Sequence, residues 1–371
     1  MEEKKEEIIQ ETKPEKIKPK APEKTKEEKF REMLKKTSFG TSLREALETI
    51  AQGGSGALIV ISEPNQVKKI MKGGFKINCK FNPERLVELS KMDGAIIIDS
   101  HLKKILYANV LLTPEANIPS METGTRHQAA ERTGKQINQL VIAVSKKTGL
   151  ISLYSGEIKY TLRNLGTLIT RLQSVLETLE EQKKIFSSLA NYLNVLEFTN
   201  LVTAVNVVSV VQKAELIIRG SRIAKKYINE LGSESQLLEL KLKEISKNVE
   251  EDMTLIIKDY CSGRQPKSII NQLSKMSYDS LLDLNNILKA LKFPSLEEQL
   301  QPKGCRMLSK IASLNDLQAE ILTSKFQNLK SLLDANVDNI KMIKGIGEKK
   351  AEAIKEELDK LKNSALLSQT I

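Results

Sequence analysis

The chain changes its hydrophobic period at about Tyr160, and that change constrains its fold more than any other feature. Before it lie five short runs rich in branched apolar residues: "ALIVI" (57–61), "GAIIID" (94–99), "KILYANVLL" (104–112), "LVIAVS" (140–145) and "LISLYS" (150–155). Their length and Ile/Val content predict strands, several of them buried on both faces. Helical spacing separates them, in "NPERLVELSKM" (82–92) and in the stretch after Arg126. The alternation predicts an α/β domain with a central mixed sheet. Beyond Tyr160 the strand signal stops. Leu165, Leu168, Leu172, Leu176 and Leu179 recur three or four apart, the apolar stripe of a helix bundle or coiled coil. Helical patterning continues to about residue 290.

Four segments follow from this. Residues 1–28 are rich in Lys, Glu and Pro and hold few apolar groups, so disorder is expected there. Residues 29–160 form the α/β domain, with Thr41 or Ser42 placed to cap its second helix. Residues 161–299 are all helical. Pro294 and Pro302 bracket a break, and residues 300–371 read as a compact, Lys-rich helical domain.

The net charge of +11 over 371 residues points to a polyanionic partner such as nucleic acid, nucleotide or an acidic membrane. Cys79, Cys261 and Cys305 lie far apart without metal-ligand or disulfide spacing, which fits a reducing compartment. No apolar run reaches the roughly 18 residues that span a bilayer. The N-terminus has no apolar signal segment. A soluble, cytoplasmic protein with no membrane partner is expected.

Residues 340–354, "IKMIKGIGEKKAEAI", resemble a helix-hairpin-helix motif. Gly345 and Gly347 let the backbone turn tightly and approach a phosphate. The N–H groups that open the second helix then face the anion. Lys344, Lys349 and Lys350 add charge, while Ile343, Ile346, Ala351 and Ile354 close a small core. Contact through Lys344, Gly345, Ile346, Gly347, Lys349 and Lys350 would reach backbone phosphates, so it would be salt-sensitive and independent of sequence. The competing reading is a helical hairpin without a ligand.

Two places in the α/β domain carry polar groups that a core does not need. Asp93 and Gly94 open a buried strand, where a carboxylate can hold a divalent metal or take a proton from a hydroxyl; an Asp-Gly pair can equally be a plain turn. Gly124 and Thr125 turn into a helix and are followed by Arg126 and His127, a plausible phosphate cradle. His127 could as well cap a helix or sit in the core. No P-loop lysine pattern and no kinase motif set is present.

"GGFKINCKFNPERLVELSKMDGAIIID", "YANVLLTPEANIPSMETGTRH" and "AERTGKQINQLVIAVS" closely resemble the diadenylate cyclase domain. The helical middle and "KGIGEKKAEAI" resemble the rest of the bacterial DNA integrity scanning family, in the same order, over about residues 37–362. The resemblance implies condensation of two ATP into cyclic di-AMP with release of two pyrophosphates, using Mg2+ or Mn2+. It also implies facing cyclase domains within a homo-octamer, a nucleoid-associated location and binding of branched DNA that suppresses synthesis. Carried over by position, Asp93 would bind metal and help activate the 3′-hydroxyl. Gly94 and Ala95 would let the nucleotide approach the strand. Leu112 would touch adenine, Thr125, Arg126, His127 and Ser145 would meet phosphates, and Gln128 and Ala129 would also line the nucleotide site. The family usually reads Arg-His-Arg-Thr where this chain has Arg126-His127-Gln128-Ala129. Lost charge-assisted contacts of that kind are worth about 1.5–3 kcal/mol each. Lys135 or Arg132 could supply charge in compensation. The alternative expectation is therefore a weakened or inactive cyclase domain acting as a DNA-binding scaffold or nucleotide sensor.

Overall fold

The computed structural model describes residues 25–261, 263–343 and 345–367. The expectation of disorder over 1–24, and the placing of Lys344 in the hairpin, lie outside the described residues. The first helix, α1 (Lys26–Lys36), starts inside the stretch expected to be disordered. Thr25 supplies the reason. Its hydroxyl accepts the Glu28 N–H at 3.3 Å and the Glu28 carboxylate accepts the Thr25 N–H at 2.9 Å, a reciprocal cap. The helix then buries Met33 and Leu34 against the sheet.

The α/β domain continues through α2 (Ser42–Gln52), β1 (Ala57–Ile61), α3 (Pro64–Val67), β2 (Met71–Lys72), β3 (Phe75–Lys80) and α4 (Pro83–Ser90). It closes with β4 (Ala95–Ile98), β5 (Lys104–Leu112), α5 (Thr125–Ile137), β6 (Leu140–Val144), β7 (Ile151–Ser155) and β8 (Ile158–Thr161). Thr41, not Ser42, caps α2, accepting the Arg44 N–H. The strands form one mixed sheet in the order β2-β5-β4-β1-β6-β7-β8, with β3 also on β5. Only β1 and β4 run parallel; the other pairs are antiparallel.

All five expected strands are present. β2, β3 and β8 were not expected. They lie at the sheet margins, and β3 carries the polar residues Lys76, Asn78 and Lys80 on alternate positions of a largely exposed strand, so the sequence offers no apolar run to read.

Alternate residues of the central strands enter two apolar layers. Ile59, Ile61, Ile96 and Ile98 pack with Leu34, Leu47 and Leu86 of α1, α2 and α4. Leu58, Val60 and Ile97 pack on the other face with Val67, Ala130 and Tyr154. The sheet is thus buried between helices on both sides.

Beyond the sheet, α6 (Leu165–Thr199) and α7 (Ala204–Leu231) form a long hairpin. Leu168, Leu172, Leu176 and Leu179 are all buried in its seam, as the stripe predicts. Five shorter helices complete this part: α8 (Gln236–Ser246), α9 (Val249–Tyr260), α10 (Pro266–Ser274), α11 (Tyr278–Leu282) and α12 (Leu284–Leu291). The C-terminal domain holds α13 (Cys305–Leu308), α14 (Asp316–Phe326), α15 (Leu329–Asp334), α16 (Val337–Lys341) and α17 (Glu348–Leu367) around its own apolar cluster.

Each end of the α6–α7 hairpin carries a buried glutamate that joins a neighbouring domain. Near the end of α7, Glu230 accepts the Tyr160 hydroxyl at 2.6 Å and the Arg163 N–H at 2.7 Å, with the Arg44 guanidinium 3.9 Å away. Near the end of α6, Glu197 meets Arg306 at 2.9 Å and accepts the Tyr260 hydroxyl at 2.7 Å.

Candidate active site and nucleic-acid interface

The strand register gathers the separated N-terminal motifs. Leu58 pairs with Ala95 in the parallel direction, and Ala57 pairs with Val144 in the antiparallel one. Asp93, Gly56 and Ser145, which flank those pairs, therefore lie in one row at one end of the sheet. Adjacent strands are roughly 4.8 Å apart, so the outer two sit on the order of 10 Å from each other. The C-terminal end of β5 reaches the same place, since Ala95 pairs with Val110.

Two glycines are required there. Gly94 has φ +82°, and a Cβ on it would lie 2.8 Å from the Asn109 carbonyl carbon. No other residue both adopts that backbone and lets β4 approach β5 so closely. At Gly56 a Cβ would collide with the Arg126 guanidinium. The side chain of Arg126 thus lies over the gap that Gly56 leaves between Asp93 and Ser145. Sequence reading missed Gly56, because a Gly before a strand looks like an ordinary turn.

Arg126 is carried by α5, which has Gly124 as its N-cap and no side chain satisfying its first N–H groups. Those groups, with the exposed Thr125, form an anion-accepting helix start. His127 is oriented from behind. Its Nδ1 lies 3.0 Å from the Tyr154 hydroxyl, which itself donates to Glu122 at 2.8 Å. The one tyrosine proton is used on Glu122, so Nδ1 carries a hydrogen and Nε2 is the atom left for a ligand. Partial burial lowers the His127 pKa, helped by Arg126 and Lys159 and opposed by Glu122. Burial also raises Tyr154, with the Glu122 carboxylate acting in the same sense. For Glu122, burial is outweighed by hydrogen bonds from Lys159 and Tyr154, and its pKa is lowered.

The other residues of this helix start do not point to a ligand. Gln128 donates from Nε2 to the Glu122 carbonyl at 2.7 Å, and Ala129 packs on the apolar layer beneath. Arg132 and Lys135, the charges expected in compensation, both bond to the loop that precedes the helix. Arg132 Nε donates to the Ile118 carbonyl at 3.0 Å, and Lys135 donates to the Pro119 carbonyl at 3.0 Å and pairs with Glu131. Glu131 in turn accepts from Ser120 and from the Met121 N–H. Residues 128, 131, 132 and 135 lie on one helix face, and that face holds the 113–124 loop.

Asp93 is exposed and has no hydrogen-bond or ion-pair partner among the described residues. Ala95 and Leu112 are buried in the second apolar layer, while the neighbouring Leu111 is exposed by strand alternation. Ser145 caps its own turn, its hydroxyl accepting the Thr148 N–H at 3.2 Å.

In the C-terminal hairpin Gly345 has φ +89°, and its carbonyl accepts from Gln318 Nε2 at 2.8 Å. Lys350 donates to Gln318 Oε1 at 2.6 Å, so it braces the hairpin against α14. Ile346 is buried in the domain core, leaving only its backbone for a ligand. Lys349 and Gly347 are exposed. Gln318 was not anticipated, since nothing in the sequence ties it to a turn 27 residues away.

Residues 44–158 match the model described as "DisA bacterial checkpoint controller nucleotide-binding", and residues 162–300 match the "DisA bacterial checkpoint controller linker region". Residues 306–360 match "SAM-like Helix-hairpin-helix tandem". A DNA integrity scanning protein DisA from Clostridium botulinum (strain Loch Maree / Type A3) is 38% identical over 348 residues, covering 93% of this chain and 99% of that protein. The chain belongs to the DisA family. The DisA of Clostridium kluyveri is 39% identical over 92% of this chain and 98% of its own length. A solved DacA structure from Staphylococcus aureus matches 36% of this chain and 87% of that one, at 25% identity and a TM-score of 0.28. The DisA models divide the chain close to the change of period at Tyr160. The described residues contain no helix long and apolar enough to cross a membrane.

Proposed function

We propose that the protein condenses two ATP molecules into cyclic di-AMP and two pyrophosphates at the face between two cyclase domains. The observation that carries this reading is the row of Asp93, Gly56 and Ser145 with the Arg126 guanidinium across it. Phosphates would meet Arg126, the free N–H groups at Thr125, His127 Nε2 and Ser145. Gly94 and Ala95 would let the nucleotide lie along β4, with Leu112 beneath the adenine. Asp93 would take the proton of the 3′-hydroxyl as its oxygen attacks the α-phosphorus of the partner's ATP, displacing pyrophosphate. Exposed Leu111 and Met121 at this end offer apolar surface to the second domain.

A divalent ion fits this site in one respect. Among the described residues no group of three or more His, Cys, Asp or Glu side chains could cage a metal, but Asp93 is a free carboxylate beside the phosphate region. Mg2+ is commonly held by one or two carboxylates together with substrate phosphates, and Mn2+ suits the same oxygen donors. When bound, it would neutralise charge on the phosphoryl oxygens.

Residues 300–371 would bind branched DNA through the hairpin at Gly345, with Lys349 as its charged contact, and this binding would suppress synthesis. Residues 161–299 would set the distance between the two activities, and the assembly would be a cytoplasmic, nucleoid-associated homo-octamer.

Purified protein with ATP and Mn2+ should yield cyclic di-AMP, and Asp93→Asn should abolish the product without lowering the melting temperature. Intact ATP after incubation of the unaltered protein would remove the reading. A second reading, a catalytically weakened or inactive DNA-binding scaffold or nucleotide sensor, is favoured by one observation: Gln128, Arg132 and Lys135 each donate to a carbonyl of the 113–124 loop. ATP binding without product would select it.

A further inference from the structure

A cleft of about 690 Å³ opens between α1, β8, α7 and α8, at the joint between cyclase and linker domains. That volume lies within the roughly 300–1,000 Å³ of small-molecule sites. Its floor is apolar: Phe30, Ile158, Ile228 and Leu242, one from each of the four elements. Its rim is mainly cationic, with Glu27 and Glu239 as its two carboxylates. Arg222, Lys225 and Lys226 are three and four residues apart, which sets them on one face of α7, and Lys26 and Arg31 face them from α1. None of these five cations has an acidic partner within ion-pair distance among the described residues, whereas Lys243 is paired with Glu239 at 2.8 Å. The cleft is remote in sequence from the Asp93 row.

An unpaired cationic rim over a recessed apolar floor suits an anion that also has a flat, apolar body. A bare phosphate would leave the floor unused. A DNA duplex presents its phosphates on a wide convex surface and would not reach the floor. We propose that this cleft is a second nucleotide site, taking a phosphorylated purine, either a mononucleotide or a cyclic dinucleotide. The base would lie against Phe30 and Leu242, and the phosphates would meet Arg222 and Lys226. The floor also connects to the joint itself. Phe30 packs edge-on against Tyr160 at 5.1 Å, and Tyr160 donates to the buried Glu230 of α7. An occupant would therefore hold the cyclase domain in place against the linker.

The test uses the full chain carrying Asp93→Asn, so that ATP is not consumed. Equilibrium dialysis with ATP, and separately with cyclic di-AMP, should show a second site per chain. The relative affinities in the two arms identify which nucleotide it prefers. Adding Arg222→Glu and Lys226→Glu, both at exposed positions, should weaken that site at least about tenfold and leave the first unchanged. Hydrogen exchange on the unaltered chain should show ligand-dependent protection within 26–36 and 222–246, a readout independent of how the variant folds. Nucleotide binding insensitive to Arg222→Glu and Lys226→Glu, or no protection in those segments, would overturn the proposal. So would inorganic pyrophosphate binding there as tightly as the nucleotides, or the double variant losing duplex DNA instead of nucleotide. Absence of cyclase activity would leave these binding results untouched.

Discussion

Gln128 holds the 113–124 loop to its helix, its side-chain amide donating to the main-chain oxygen of Glu122 at 2.7 Å. Where the resemblance implies an arginine, this chain has a structural tie. Gln128→Arg combined with Ala129→Thr should raise the rate of cyclic di-AMP formation by about one decade, the worth of one charge-assisted contact. Single-turnover assays with ATP would measure it, and an unchanged rate would mean that the site works without that contact.

His127 should bring a proton with it when nucleotide binds. Its pKa is lowered by burial, so near neutral pH Nε2 is a bare acceptor, unable to donate to phosphate. Calorimetry in two buffers of different ionisation enthalpy should show proton uptake on ATP binding, with tighter binding as pH falls from about 7.5 toward the ordinary histidine value near 6.5. His127→Gln should remove the uptake. Free-protein stability has the opposite sign. The unfolded chain takes the proton more readily, so this group's contribution is present above about pH 6.5 and is lost as pH falls through the folded-state value.

Gly56→Ala should act on the nucleotide site through Arg126. The added Cβ needs the space the guanidinium holds, and that group sits at the end of a flexible side chain that can move. Activity should fall by about one to two decades with little change in melting temperature, since a displaced charge-assisted contact is worth about 1.5–3 kcal/mol.

Adjacent lysines of the hairpin should behave differently. Lys349 is exposed, so Lys349→Ala should weaken DNA binding alike on all sequences and reduce the slope of log affinity against log salt by about 0.9. Lys350 is tied to Gln318, which in turn holds the Gly345 carbonyl. Lys350→Met should loosen the hairpin, and Gln318→Ala should reproduce much of its effect. Fluorescence anisotropy over a salt series separates the two cases.

Arg306→Met should destabilise the link between linker and C-terminal domain. The guanidinium and Glu197 are both buried, and removing one partner leaves the other charge uncompensated at a cost of about 3–5 kcal/mol. Denaturant unfolding should show the loss, and Arg306→Met with Glu197→Gln together should recover part of it.

Elements built from local pattern were legible in the chain. Residues 57–61 and 104–112 form strands over the expected spans, and the leucines from Leu168 to Leu179 fill a helical seam, because period and β-branching act within a few residues. The glycine hairpin at 345–347 and the helix start at Thr125 were legible for the same reason: backbone conformation and unsatisfied N–H groups are local properties. Pairing decided the rest. Asp93, Gly56, Ser145 and Arg126 come together only through the β4-β1-β6 register and the seating of α5, so no spacing in the sequence records it. Tertiary contacts also assigned Gln128, Arg132 and Lys135 to one loop, and Glu197 and Glu230 to the two domain joints. A side chain's hydrogen-bond partner depends on which distant backbone folds against it, and composition and periodicity carry no trace of that choice.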